Sequence, residues 1–179
     1  YEDNRVDYDI WCYTWFQELK RICNMIIIYC GGQNLSLWIK IEKPVQILYR
    51  ISKNTRSYGK ITYFRSVFPL VCYGKFRNRL LRDVFIYHSK CGFLREKKYI
   101  QHPCPLNEYF WFDLISQLNP KSVIDPFIGS GTTAEVCTKL GIPWIGYEMN
   151  RNYKQDIETR LKNCVKEPHQ IELLKYIIC

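Results

Sequence analysis

The stretch Asp125-Pro126-Phe127-Ile128-Gly129-Ser130-Gly131-Thr132-Thr133 (DPFIGSGTT, residues 125–133) decides how this chain folds. A short apolar run, Ser122 to Ile124, precedes it, and a helix-like run from Thr132 to Leu140 follows. Gly129-Ser130-Gly131-Thr132-Thr133-Ala134 fits G-x-G-x-x-G/A where its mechanism needs it, between a strand and a helix. The first glycine permits a tight turn, and the second lets a ligand come close to the backbone. A small third residue lets the helix pack on the strand. Amides exposed at the helix start would face an anionic ligand group. Seventeen residues after Gly131, Glu148 ends the next predicted strand, placed to accept hydrogen bonds from ribose hydroxyls. No Lys follows the glycines, which disfavours a phosphate-gripping P-loop. A nucleoside ligand is the expectation, and on spacing alone a nicotinamide or flavin cofactor stays open.

Outward from the loop, strand and helix signals alternate. Towards the C-terminus come a strand at Trp144 to Tyr147 and a helix at Asn152 to Lys162. Upstream, Leu106, Phe110, Leu114 and Leu118 place a helix before Asn119-Pro120. Nearer the start, Trp11, Trp15, Leu19 and Ile22 mark an amphipathic helix, and Met25 to Cys30 reads as a buried parallel strand. Asn34 is placed to cap a short helix through Lys40, and strands are expected over Val45 to Ser52 and Val67 to Tyr73. Tyr58-Gly59 marks a turn, and Lys75 to Gln101 is basic, aromatic and irregular. This alternation predicts an α/β fold with a mainly parallel sheet.

The chain has 179 residues, 47% of them apolar, a natural size for one domain with a real core. Its longest apolar run, Met25 to Cys30, falls far short of the roughly 20 residues needed to cross a bilayer, and no signal-peptide pattern opens it. A soluble, cytoplasmic protein is expected. Nine cysteines are scattered through apolar segments without a C-x-x-C pair, so buried free thiols are expected and no metal site is. His88, His102 and His169 show no ligand spacing. The net charge of +9 is unevenly placed: from Arg50 to Lys98 there are 13 basic residues against Asp83 and Glu96, which leaves the remainder at −2. Tyrosines and phenylalanines interleave those charges, a pattern suited to a nucleic acid partner.

Taken whole, DPFIGSGTT followed by GIPWIGYEMNRNY (residues 141–153) resembles the cofactor motifs of DNA amino-methyltransferases, which methylate adenine N6 or cytosine N4. His102-Pro103-Cys104-Pro105 is similar to the family's H-P-x-x-K-P element, with Leu106 and Asn107 where Lys and Pro are usual. The clear resemblance covers about residues 100–162, and a weaker likeness runs back through IIIYCGGQN to the start. It implies a Rossmann-like fold with helices on both faces of the sheet and S-adenosylmethionine as cofactor. Cofactor roles then fall on Asp125, Pro126, Phe127, Gly129, Ser130, Gly131, Thr132, Glu148, Met149 and Asn150.

The family's catalytic D/N/S-P-P-Y/F/W tetrapeptide is absent from these residues. In permuted members it precedes the other strands and the cofactor loop comes last. That order, with the start at Tyr1, carries the expectation of a polypeptide extending upstream with its catalytic residues there. The fold would then be incomplete at its N-terminal side, with a gap between the Val123 and Met25 strands.

The implied organisation is one methyltransferase domain. Residues 1–52 belong to its catalytic half, 53–100 form a basic target-recognition insert, 101–165 bind the cofactor and 166–179 are a tail. Candidate contacts to double-stranded DNA are Lys53, Arg56, Lys60, Arg77, Arg79 and Arg82. The resemblance leaves room for a homodimer and for a restriction endonuclease partner. A non-catalytic DNA-binding relative and a dinucleotide-dependent oxidoreductase are the alternative readings.

Overall fold

The computed structural model describes residues 6–52, 66–76, 78, 80–87, 102, 106 and 108–164. The chain divides into two units, Tyr1–Phe76 with Leu81–Tyr87, and Arg77–Leu80 with His88–Cys179.

The first unit opens with helix α1, Tyr8–Ile22, with Asp9 in its first turn and Lys20 and Arg21 in its last, as the helix dipole favours. Cys12 and Phe16 are its buried residues, and Trp11, Trp15, Leu19 and Cys23 pack beside them. The buried stripe is therefore centred one residue over from the expected one, and Ile22 is exposed. Strand β1 (Met25–Tyr29), helix α2 (Leu35–Ile41) and strand β2 (Gln46–Ser52) follow. Asn34 precedes α2 but makes no side-chain cap; its Nδ2 donates to Tyr8 Oη instead.

Strand β3 (Val67–Gly74) returns between β1 and β2 and is antiparallel to both, pairing Met25 with Gly74 on one side and Gln46 with Cys72 on the other. Strand β4 (Val84–Tyr87) lies outside β2 and parallel to it, so the order is β1-β3-β2-β4. The expected parallel neighbour of β1 is thus replaced by an antiparallel one, and this sheet is mixed. Pro69 is tolerated inside β3 because the β1 ladder ends at Leu70, so no donor is required of it on that side. Phe16 meets Tyr73 at 4.7 Å and Trp15 meets Trp38 at 5.1 Å between ring centroids, tying α1, α2 and β3 into one core. The Tyr73 hydroxyl, buried in that core, donates to the Trp38 carbonyl at 2.8 Å.

The second unit is built as helix α3 (Glu108–Leu118), strand β5 (Val123–Asp125), helix α4 (Thr132–Lys139), strand β6 (Trp144–Gly146) and helix α5 (Lys154–Cys164). β5 and β6 are parallel, with Asp125 opposite Gly146, and α4 is the crossover between them. Helix α3 buries Phe110, Leu114, Ile115 and Leu118, each worth about 1.5–3 kcal/mol when removed from water. It stops at Asn119, which takes a positive φ of 44° before Pro120. Ala134 packs with Ile128, Ile157 and Leu161, so a small residue at 134 does let α4 seat tightly.

Between the helices, Glu135 is almost completely buried, yet it is ion-paired to Lys139 at 2.6 Å and to Arg160 at 2.5 Å. Lys139 also reaches Glu108 at 3.5 Å, so one charge knot joins α3, α4 and α5. β1 and β5 belong to different sheets and share no ladder among the described residues.

Candidate functional site

The loop from Asp125 to Gly131 is held by main-chain bonds that continue past the strand ends. Tyr147 donates to the Asp125 carbonyl and Ile128 donates to the Tyr147 carbonyl, each at 3.0 Å. This brings Glu148 to the loop: its Oε2 accepts the Gly129 N–H at 3.0 Å, and its Oε1 accepts the Asn150 N–H at 2.7 Å. A carboxylate offers about four acceptor positions, so Glu148 keeps capacity for ligand hydroxyls. Asn150 Oδ1 accepts the Asn152 N–H at 3.1 Å and starts the 3-10 turn Arg151–Tyr153 that leads into α5.

Asp125 accepts the Phe127 N–H at 3.0 Å and a hydrogen bond from the Thr133 side chain. Burial pushes its carboxyl above the ordinary carboxylate range, and the charge of Glu148 adds to that. The two hydrogen bonds pull the other way without reversing it. The loop is therefore a place where negative charge is concentrated and only partly offset, since residues 125–133 contain no Lys or Arg.

Both glycines take left-handed backbone, φ +53° at Gly129 and +86° at Gly131. What they make room for is protein. A Cβ at Gly129 would sit 3.0 Å from Nε2 of His102, and one at Gly131 would sit 3.2 Å from Cα and Cγ1 of Ile157 on α5. The lack of a side chain at the second glycine thus also serves helix packing. The helix start is likewise buried: Ser130 is 4% and Thr132 3% exposed, so the amides expected to face an anion lie within the protein.

Of the ten candidate cofactor residues, Phe127 (51% exposed), Met149 (80% exposed) and Asn150 present open surface at the loop. Asp125, Pro126, Gly129 and Glu148 are half-buried at its rim, and Ser130, Gly131 and Thr132 support it from beneath. Sequence reasoning passed over Thr133 and Asp156, and it gave His102 no role beyond its place in an H-P element. The polar Thr133 at the second position of the predicted helix, beside the strand-end Asp125, was the available signal for the first.

Among the described cysteines, three are buried enough to disfavour the thiolate. Burial pushes Cys30 up to about 11 and Cys72 and Cys137 up to about 12, far from the thiolate form at neutral pH. Of the candidate DNA contacts, Arg82 is exposed with its guanidinium 5.2 Å above the Phe85 ring. Lys53, Arg56, Lys60, Arg77 and Arg79 lie outside the described residues, as do the Tyr58-Gly59 turn and the tail.

Residues 50–159, more than half of the chain, match the DNA methylase family of the N6 and N4 type. The chain belongs to that family. Among curated DNA methylases, the type II methyltransferase M.HinfI of Haemophilus influenzae is 40% identical over 62 residues, 34% of this chain and 17% of the relative. The type II methyltransferase M.MthZI of Methanothermobacter thermautotrophicus is 41% identical over 49 residues, 27% of this chain and 14% of the relative. The matched stretches are thus a small part of those proteins.

Solved structures share the fold. The complex of M1.HpyAVI with SAM superposes with a TM-score of 0.68 at 21% identity, covering 87% of this chain and 84% of that one. The PvuII cytosine-N4-specific DNA methyltransferase gives 0.63 at 17% identity, covering 93% of this chain and 76% of that one. The chain therefore has the α/β methyltransferase fold.

Proposed function

We propose that this DNA methylase chain binds S-adenosylmethionine at the β5–α4 loop and serves methyl transfer to an exocyclic amine of adenine (N6) or cytosine (N4) in DNA. The observation that carries the reading is the Gly129 N–H to Glu148 Oε2 bond, which places a carboxylate with spare acceptor capacity against the glycine turn. Phe127 and Met149, both exposed, offer apolar faces for a flat ring. Bound there, the cofactor would supply an electrophilic methyl on a sulfonium centre.

The charge of the site separates this cofactor from a dinucleotide. Burial opposes ionisation of Asp125, and the charge of Glu148 opposes it further. A pyrophosphate would add two negative charges to that pair, whereas a sulfonium offsets them. The buried helix start argues the same way, because it offers few open amides to a phosphate. Among the ten candidates, Glu148 and Asp125 bind polar groups, Phe127, Met149 and Asn150 line the ligand, and the others shape the turn.

The basic segment from Arg50 to Lys98 serves the DNA, with Lys53, Arg56, Lys60, Arg77, Arg79 and Arg82 at phosphates. Acting on DNA of a prokaryotic or viral context would place the protein in the cytoplasm, with a restriction endonuclease or a second copy of the chain as companions. Titration calorimetry with S-adenosylmethionine and, separately, NAD tests the reading. It requires binding of the first that Glu148→Ala abolishes; a chain that takes NAD and ignores the sulfonium refutes it.

A further inference from the structure

The loop is gripped from behind by two consecutive residues of α5. Ile157 meets Gly131 directly, with its Cα and Cγ1 3.2 Å from where a Cβ would be. Asp156 acts at one remove. It is 1% exposed, and its Oδ2 accepts the backbone N–H of His102 at 2.9 Å. The His102 ring stands edge-on to Tyr153, with centroids 4.6 Å apart, and its Nε2 edge closes the space beside Gly129. Gly129 is the residue whose N–H orients Glu148.

We propose that Asp156 is a positioning residue for the cofactor loop: it fixes His102, whose imidazole wedges Gly129 so that its amide holds the Glu148 carboxylate in place. This rests on the β5–α4 loop being the cofactor site. A buried carboxylate is costly unless hydrogen-bonded, and here it is placed where a chain segment remote in sequence must be held. Glycine at 129 has no side chain to define its turn and left-handed backbone to maintain, so an external wedge limits the conformations it can visit. The affinity of the loop is thereby set by a helix that does not touch the ligand.

The test uses S-adenosyl-L-homocysteine as calorimetric probe, together with amide hydrogen exchange, on the full chain. Asp156→Ala and His102→Ala should each weaken binding about tenfold, the scale of one lost hydrogen bond to a charged group. Combining them should weaken it no further, because they act in series. Asp156→Asn keeps an acceptor oxygen and should restore near-normal binding. Exchange should rise in the peptide over 125–133 and stay unchanged in α3. His102→Ala leaves the backbone bond to Asp156 intact, so it reports on the wedge even if Asp156→Ala does not fold.

Unchanged affinity in His102→Ala, or exchange raised evenly through α3, α4 and α5 in every variant, would overturn the proposal. If the unmodified chain fails to bind the probe while Glu148 is intact, the cofactor reading fails. The wedge would then stand or fall on the exchange pattern alone.

Discussion

The loop carrying Asp125 and the helical knot carrying Glu135 belong to one strand–loop–helix segment, yet they treat buried negative charge in opposite ways. In the knot, burial pushes Glu135 up, but hydrogen bonds from its neighbours Glu108 and Lys139 and the Arg160 guanidinium outweigh that and hold it below the ordinary range. In the loop, Asp125 has only the Phe127 amide and the Thr133 side chain against burial and the charge of Glu148, and its carboxyl stays raised. The knot matches its two carboxylates with Lys139 and Arg160, whereas residues 125–133 of the loop supply no such cation. Structure is served by the first arrangement and binding by the second.

Replacing Glu135 with Ala is the largest available disturbance, because it strands Arg160 at 5% exposure. A loss of about 3–5 kcal/mol is expected in urea unfolding. Asp125→Asn should cost under about 1 kcal/mol or raise stability, since it removes a charge the fold opposes. If both cost the same, the distinction between the two regions is wrong.

Binding should reverse that ranking. Asp125→Asn should weaken S-adenosylmethionine about tenfold, about 1.4 kcal/mol, and weaken the uncharged thioether S-adenosyl-L-homocysteine much less. Equal losses for the two ligands would show that Asp125 does not respond to the sulfonium. For the same reason, affinity for the sulfonium should fall as pH drops through the raised pKa of Asp125.

The two regions should also bend the pH–stability curve in opposite senses. Glu135 has a folded pKa below 4.5, so its contribution is present above that value and is lost as pH falls through the folded one. Asp125 has a folded pKa above 3.8, so the native state holds the extra proton and stability declines as pH rises from 3.8 through the folded value, then levels. Glu135→Gln should flatten the acid limb of a denaturation series, whereas Asp125→Asn should remove the decline.

Much of this segment was legible in the sequence because its cues are local. Val123 to Ala134 carries the strand, turn and helix in consecutive residues, and Glu148 follows at the spacing a parallel βαβ unit imposes. What neighbours the glycines was not legible: His102 and Ile157 come from distant segments, and no spacing rule links them to 129 and 131. The partner of β1 was missed for a similar reason. A continuous apolar run such as Met25–Tyr29 reads as buried in either direction of pairing, and only the return of β3 between β1 and β2 decides. β4 was lost because Val84–Tyr87 is four residues long within a basic stretch whose charges mask the signal.

Positive charge poses the same question as negative charge: which of it is committed to structure and which is left for a partner. Arg82 is exposed but lies over the Phe85 ring, so its charge could serve the fold, the DNA or both. The smallest predicted effect decides this. Counting one phosphate contact, Arg82→Ala should reduce the slope of log affinity against log salt by about 0.9, and Arg82→Lys should keep that slope while giving up part of the ring contact. If Arg82→Ala shifts the unfolding midpoint and leaves the salt slope intact, Arg82 belongs with Glu135, as charge the fold has already used.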